Sequence, residues 1–245
     1  MPCTNKVADV TAMFWLMKIT ATTLGETAGD LLSMTLGLGY LASSAFLLGL
    51  FVAALTLQLR ATRFHPALYW TVIVATSTAG TTLSDYLDRS VGLGYLGGAA
   101  LLASLLAAVL WAWHRGAGTL AVDHIARPRD EAFYWLAILV SNTLGTALGD
   151  YLADDSGLGF AGGAAVIGSA LVVLLTLRLV TRCNRVLLFW LAFVLTRPFG
   201  ATCGDFLSKS PAGGGLGFGT IGSSLVLSGL LLAGLAVQLR QMSSP

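Results

Sequence analysis

The chain has 245 residues, of which 56% are apolar and only 11% charged, and its 14 Lys and Arg against 12 Asp and Glu give a formal charge of +2. A soluble domain carries about 25% charged residues, so this composition, with a mean hydropathy of +0.79, excludes the soluble enzyme classes and predicts an integral membrane protein. The small net charge speaks against a nucleic-acid partner, and Cys3, Cys183 and Cys203 form no CxxC pair that would suggest disulfides or zinc.

The first apolar run, from about residue 10 to 29, is longer than a signal-peptide core and lacks a small-x-small cleavage site, so it reads as a span rather than a removable leader. Further apolar stretches follow, and the full set of expected spans is 10–32, 38–59, 66–87, 93–113, 132–152, 158–180, 186–207 and 215–239. Each is long enough to cross a bilayer as a helix. Strand alternation is absent, and unpaired backbone is too costly in lipid for other structures.

These stretches repeat in pairs. Gly-x-x-x-(Gly/Ser)-Asp occurs as GETAGD (25–30), GTTLSD (80–85), GTALGD (145–150) and GATCGD (200–205). Trp15, Trp70, Trp135 and Trp190 each precede the corresponding aspartate, Asp30, Asp85, Asp150 or Asp205, by 15 residues. A Gly-Leu-Gly-aromatic motif follows each, beginning at Gly37, Gly92, Gly157 and Gly215. The expected fold is therefore an all-α membrane domain covering 1–245, with eight transmembrane helices in four same-direction two-helix repeats (about 10–60, 66–114, 131–181 and 186–240) and internal pseudo-symmetry. Fifteen helical residues rise about 22 Å, which puts Trp and Asp towards opposite faces of the bilayer.

The ends and even-to-odd connections carry Lys6, Arg60, Arg63, Arg115, Arg127, Arg129, Arg178, Arg182, Arg185 and Arg240, and the odd-to-even connections only Arg89 and Lys209. The positive-inside rule then puts both termini, with His65, His114 and His124, in the cytoplasm and the aspartates outside. With its Trp and Gly-x-x-x-Gly-Asp signature, the chain resembles the bacterial "uncharacterised membrane-anchored protein" family of tandem two-helix repeats. The resemblance, over about residues 10–239, implies a bacterial inner-membrane location and the repeat count, but no activity.

Features common to all four copies are expected to be structural. The glycines of the hexapeptide suit close helix approach, the tryptophans suit interfacial anchoring, and Gly-Leu-Gly suits a close-packing turn. The aspartates admit two readings that stay open. They can cap the following helix through backbone N–H groups, or form an outward ring that binds cations.

Residues found in a single copy are better functional candidates. One helical face carries Thr22, Ser77, Asn142 and Arg197 eight residues before the aspartates, and Glu26, Thr81, Thr146 and Ala201 four before. Lys18 extends this stripe in the first copy, and Pro198, where the others have Thr, predicts a kink in the fourth. Two basic groups (Lys18, Arg197) against five acidic ones (Glu26, Asp30, Asp85, Asp150, Asp205) leave −3 at membrane depth. Buried carboxylates in excess take protons or hold a cation, and the donor set suits hard ions.

The expectation is a secondary transporter for a hard cation, proton- or gradient-coupled. Glu26 and Asp30 would be the ion or metal ligands, joined by the other three aspartates. Thr22, Thr81, Asn142 and Thr146 would line the route, with Lys18, Arg197 and Pro198 in counter-charge and gating roles. An internal salt bridge of Glu26 with Arg197 or Lys18 is the bland alternative for the charges. For the protein as a whole, the alternative is a sensor or assembly protein binding a partner within the membrane. No cofactor beyond a bound cation or proton is expected, and no enzyme motif is evident. The expected partners are the lipid bilayer and a small inorganic cation, with self-association left open.

Overall fold

The computed structural model describes residues 6–122, 125, 127–181 and 183–243; Cys3, His124 and Arg182 lie outside the described residues. Eight long helices run α1 (Ala12–Asp30), α2 (Tyr40–Arg60), α3 (Pro66–Asp85), α4 (Gly94–Ala117), α5 (Pro128–Asp150), α6 (Gly159–Val180), α7 (Arg185–Ser208) and α8 (Gly219–Ser243). Local chemistry sets the starts of the odd helices. The Thr11 side chain accepts from Phe14 N, Pro66 and Pro128 open α3 and α5, and Asn184 accepts from Val186 N and Leu187 N.

Six of these helices, α2 and α4 to α8, are long and apolar enough to cross a membrane. The chain is membrane-type in its distribution as well. Leu and Val side chains cover the outside, and Lys18, Glu26, Arg197 and many Thr and Ser are buried inside. α1 and α3 fall short of that measure, and with α5 and α7 they line the polar centre.

The four odd helices form a closed ring, α1 to α3 to α5 to α7 and back to α1, and each even helix packs on the odd helix of the next unit, with α8 closing on α1. The hexapeptide glycines make the ring possible. Gly25 and Gly29 face Ser77 and Thr81, Gly80 faces Asn142, Gly145 and Gly149 face Arg197 and Ala201, and Gly200 and Gly204 face Thr22 and Glu26. In each pair, a glycine of one unit receives the side chain that stands four or eight residues before the aspartate of the next. The expected small-residue packing is thus observed, with a register repeated round the ring.

Three expectations need correction. In the first three units the Gly-Leu-Gly glycines are not close-packed, since a Cβ at Gly37, Gly39, Gly92, Gly94, Gly157 or Gly159 would meet nothing within 4 Å, whereas in the fourth a Cβ at Gly215 would run into the Lys209 backbone. Those of the first three units supply positive φ, from 67° to 83°, that other residues rarely adopt. In the fourth unit the matching pair is Gly217 and Gly219, two residues beyond the sequence match, so α8 starts at Gly219 rather than 215.

The tryptophans do not form an interfacial belt. Trp70, Trp135 and Trp190 are buried and Trp15 is half-buried, in a cluster with Tyr69, Tyr134, Phe189 and Phe193 where the inner helices converge. Their polar edges are satisfied inside, Trp70 Nε1 donating to Gln238 (2.9 Å), Trp190 Nε1 to Leu120 O (3.0 Å), and the Tyr69 and Tyr134 hydroxyls pairing at 2.7 Å. Bulky rings at this end fill the space that glycines close at the other. Beside them the buried Lys6 pairs with the buried Glu131, and Gln58 donates to the same carboxylate (3.0 Å).

Finally, of the two readings left open for the aspartates, capping would need the chain to leave the helix directly behind them, and it does not. After Asp30, Asp85 and Asp150 the backbone continues through π-helical turns, Leu31–Thr35, Tyr86–Ser90 and Tyr151–Asp155, and α7 runs past Asp205 and unbroken through Pro198.

Gly25→Ala would place a methyl 2.9 Å from the Ser77 carbonyl carbon, which cannot yield without moving backbone. It should destabilise the fold by about 1–3 kcal/mol. Gly49→Ala, facing open space on α2, should be neutral or gain about 0.5–1 kcal/mol of helix stability. Unfolding midpoints in detergent test the pair; equal midpoints would contradict the close-packed ring.

Candidate functional site

The centre of the ring is organised by Arg197, which is fully buried. From α7 its guanidinium reaches the other three inner helices. Nη1 donates to Glu26 Oε2 (3.0 Å) and Thr22 O (3.4 Å) on α1, and Nη2 to Ser77 O (3.3 Å) and Thr81 Oγ1 on α3 and to Thr146 Oγ1 (2.7 Å) on α5. Thr22 in turn donates to Thr196 O (3.2 Å), and Thr81 to Gly25 O (3.1 Å). Thr22, Thr81 and Thr146 are therefore fixed in this network rather than loose along a path.

Lys18 is also fully buried, but it meets no carboxylate. Its ammonium donates to Asn142 Oδ1 (3.3 Å) and lies 4.1 Å from the centre of the Phe193 ring, while Asn142 Nδ2 donates to Thr76 Oγ1 (3.0 Å). The expected salt bridge of Glu26 thus forms with Arg197 and not with Lys18. The lysine's cation–π contact and amide partner take the place of a counter-ion.

The four aspartates lie together at the other end of the ring, all buried. Among the described residues the hydrogen bonds of these aspartates run to cationic side chains, and no side-chain cap is made at Gly39, Leu93 or Leu158, the starts of α2, α4 and α6. The helix does not end at the aspartates, so the carboxylates do not reach those free N–H groups. They face cations instead. Arg89 pairs with Asp85 (2.9 Å) and Asp150 (3.4 Å), and Lys209 with Asp30 and with Asp205 (3.2 Å). Each cation therefore joins its own unit's aspartate to that of the next unit. Carboxylate oxygens of Glu26, Asp30 and Asp205 lie within 4.8 Å of one another, a group of three ligands that could hold a metal ion. Burial disfavours a charged Lys209, which lies just beyond α7, but the carboxylates of Asp205 and Asp30 outweigh this and hold its pKa above the ordinary lysine value.

Four matches to one family model, a repeat of unknown function (DUF347), cover residues 13–64, 68–119, 133–184 and 188–244. The chain belongs to the DUF347 family. Comparison with curated proteins gives no match, and neither does comparison with solved structures.

In DUF347 terms, the sequence reading missed the two cations that answer the aspartates. Arg89 and Lys209 each stand four residues after their aspartate, where the first and third repeats have Met34 and Asp154. That i,i+4 spacing was the available signal, but both residues were counted as connection charges and left out of the balance. With them the balance is four cations to the same five carboxylates, and the deficit of three becomes one. Asp88 was also missed. It is buried on Gly98 and accepts from Ser84 Oγ (3.1 Å), Ser84 being the one residue of its hexapeptide position that is not glycine.

Arg197→Met should strand the Glu26 carboxylate and destabilise the fold by about 3–5 kcal/mol, the cost of breaking a buried pair. Adding Glu26→Gln should recover a large part of that loss. A double-mutant cycle on unfolding midpoints checks this, and strictly additive effects would mean the two side chains are not coupled.

Proposed function

We propose that this DUF347 protein is a secondary transporter for a hard inorganic cation, with its ion-binding site at the aspartate end of the ring. The observation that carries the reading is the convergence of Glu26, Asp30 and Asp205 beside a single displaceable ammonium. Lys209 occupies this acidic group as a tethered cation, and its side chain keeps 29% exposure, so an incoming ion can take its place from the solvent side. Oxygen donors of this kind suit Mg²⁺, Mn²⁺, Ca²⁺ or Na⁺, and a proton serves the same carboxylates.

Glu26 links this outer group to the interior because it also pairs with Arg197. An ion bound by Glu26 weakens its hold on the guanidinium, and Arg197 then leans on Thr81, Thr146 and the carbonyls of Thr22 and Ser77. That exchange supplies the coupling between ion binding and a rearrangement of α7, whose Pro198 removes one backbone donor at the same place. In this reading Asp85 and Asp150, clamped by Arg89, hold the opposite side of the ring. Buried charges in spans commonly mark ion and proton pathways.

The proposal includes all eight helices as spans, α1 and α3 being shielded from lipid by their neighbours. It keeps both termini in the cytoplasm of a bacterial inner membrane and the aspartates facing out. The packed centre supports a second reading, a sensor or assembly protein whose buried charges only order the bundle. Purification with one stoichiometric membrane partner, and no ion flux, would select it.

Glu26→Gln should abolish ion flux in proteoliposomes while the protein still inserts, with its unfolding midpoint lowered because the buried Arg197 loses its counter-charge. Full flux by this variant would rule out the transporter as drawn. For orientation, single cysteines in a background without others provide the check. Ser210→Cys should react with a membrane-impermeant maleimide on intact cells, and the native, exposed Cys183 only after the membrane is opened. The reverse pattern would invert the proposed topology.

A further inference from the structure

On the flank of the ring where the fourth repeat meets the first, a cavity of about 630 Å³ opens between α1, α6 and α7. Its walls are mostly apolar, with Trp15, Ile19, Leu175, Phe189 and Ala192 among them. Trp15 is the repeat tryptophan that is not fully buried, and this is the space it faces. The chain between α4 and α5 borders the cavity through Leu120 to Val122 and is fixed there by the hydrogen bond from Trp190.

A smaller cavity of about 350 Å³, lined by Thr181, Cys183 and Asn184, shares two residues with the first, Arg178 and Arg185. Arg178 lies in the last turn of α6 and Arg185 is the first residue of α7. Both are exposed, and among the described residues neither forms an ion pair and no carboxylate lines either cavity.

We propose that the two cavities together bind an anionic phospholipid, with one acyl chain in the apolar groove and the phosphate on Arg178 and Arg185. Charge complementarity selects this occupant. Two unpaired guanidinium groups at the ends of membrane-type helices sit at headgroup level, they favour bidentate contact with phosphate, and the apolar groove begins at the same two residues. A zwitterionic lipid would fill the groove as well but would gain less from the arginines. The inference is independent of the transport reading, because none of these residues touches the acidic group.

The test uses the full chain in detergent, with binding followed by native mass spectrometry. Phosphatidylglycerol should bind on the order of tenfold more tightly than phosphatidylcholine of the same chains, given the attraction each basic residue adds near an anionic headgroup. The exposed double variant Arg178→Gln/Arg185→Gln should lose that preference while keeping its unfolding midpoint. Ala192→Trp, which fills the groove and leaves both arginines, should weaken binding of both lipids; should it fail to fold, Ala121→Trp on the bordering chain serves the same purpose. Millimolar inorganic phosphate should not displace the lipid. Equal binding of the two lipids, a preference that survives the double arginine variant, tight binding to the filled groove, or displacement by phosphate would each overturn the proposal.

Discussion

The structure depends on one buried guanidinium. A charged side chain in the middle of a membrane-type bundle costs roughly 2.5–3.5 kcal/mol even on insertion scales, and Arg197 stands there with no exposure. What makes it tolerable is that Glu26, Thr22, Ser77, Thr81 and Thr146 converge on its Nη1 and Nη2 from the other three inner helices. Glu26 alone would not suffice, because the remaining N–H groups would stay unsatisfied in a medium where each costs several kcal/mol. The shared glycines also follow from this arrangement. Gly145 is the space in which the Arg197 stem lies, and Gly204 the space for Glu26.

The ring has four units, but its charges do not have four-fold symmetry. Arg89 and Lys209 stand on alternate units and each ties two aspartates, which gives the aspartate end an approximate two-fold arrangement. The two halves then differ in what lies beneath. Below Asp30 and Asp205 is Glu26, and the equivalent positions under Asp85 and Asp150 hold Thr81 and Thr146. Only one half therefore gathers three carboxylates. Guanidinium clamps the half with two, and the more compact and strongly hydrated ammonium sits on the half with three. Replacement of a cation is easier where the resident is a single-point charge than where it is a planar fork.

Much of this was legible from the chain. The repeat, the helix count, the close-packing role of Gly25, Gly80, Gly145 and Gly200, and the depth of Trp relative to Asp all follow from spacing. The Glu26–Arg197 pair was foreseen as one of two options, since i,i+4 geometry fixes which residues share a face but not which faces meet across the ring. The tryptophans were misread because their amphipathic character suits an interface and a packed core equally; only the convergence of the inner helices decides. Similarly, Gly-Leu-Gly looks the same whether glycine is required for contact or for positive φ. Of the two open readings of the aspartates, capping fails for a backbone reason. Nothing in LLSMT, YLDRS or YLADD announces a π-helical turn, and that turn carries the chain onward before any cap can form.

The vertical distribution of charge then separates two layers with different tasks. In the inner layer Arg197 and Glu26 neutralise one another, which leaves Lys18 as the further buried cation there. In the outer layer four aspartates face two cations, an excess of two negative charges when all are ionised. That excess lies where Arg89 and Lys209 are partly open to solvent, so water and counter-ions reach it without crossing the packed centre. Among the described residues, Glu26 is the carboxylate that both pairs with Arg197 and joins the aspartate group. Through Glu26 the acidic group thus stands in contact with Arg197, whose other bonds reach α3 and α5.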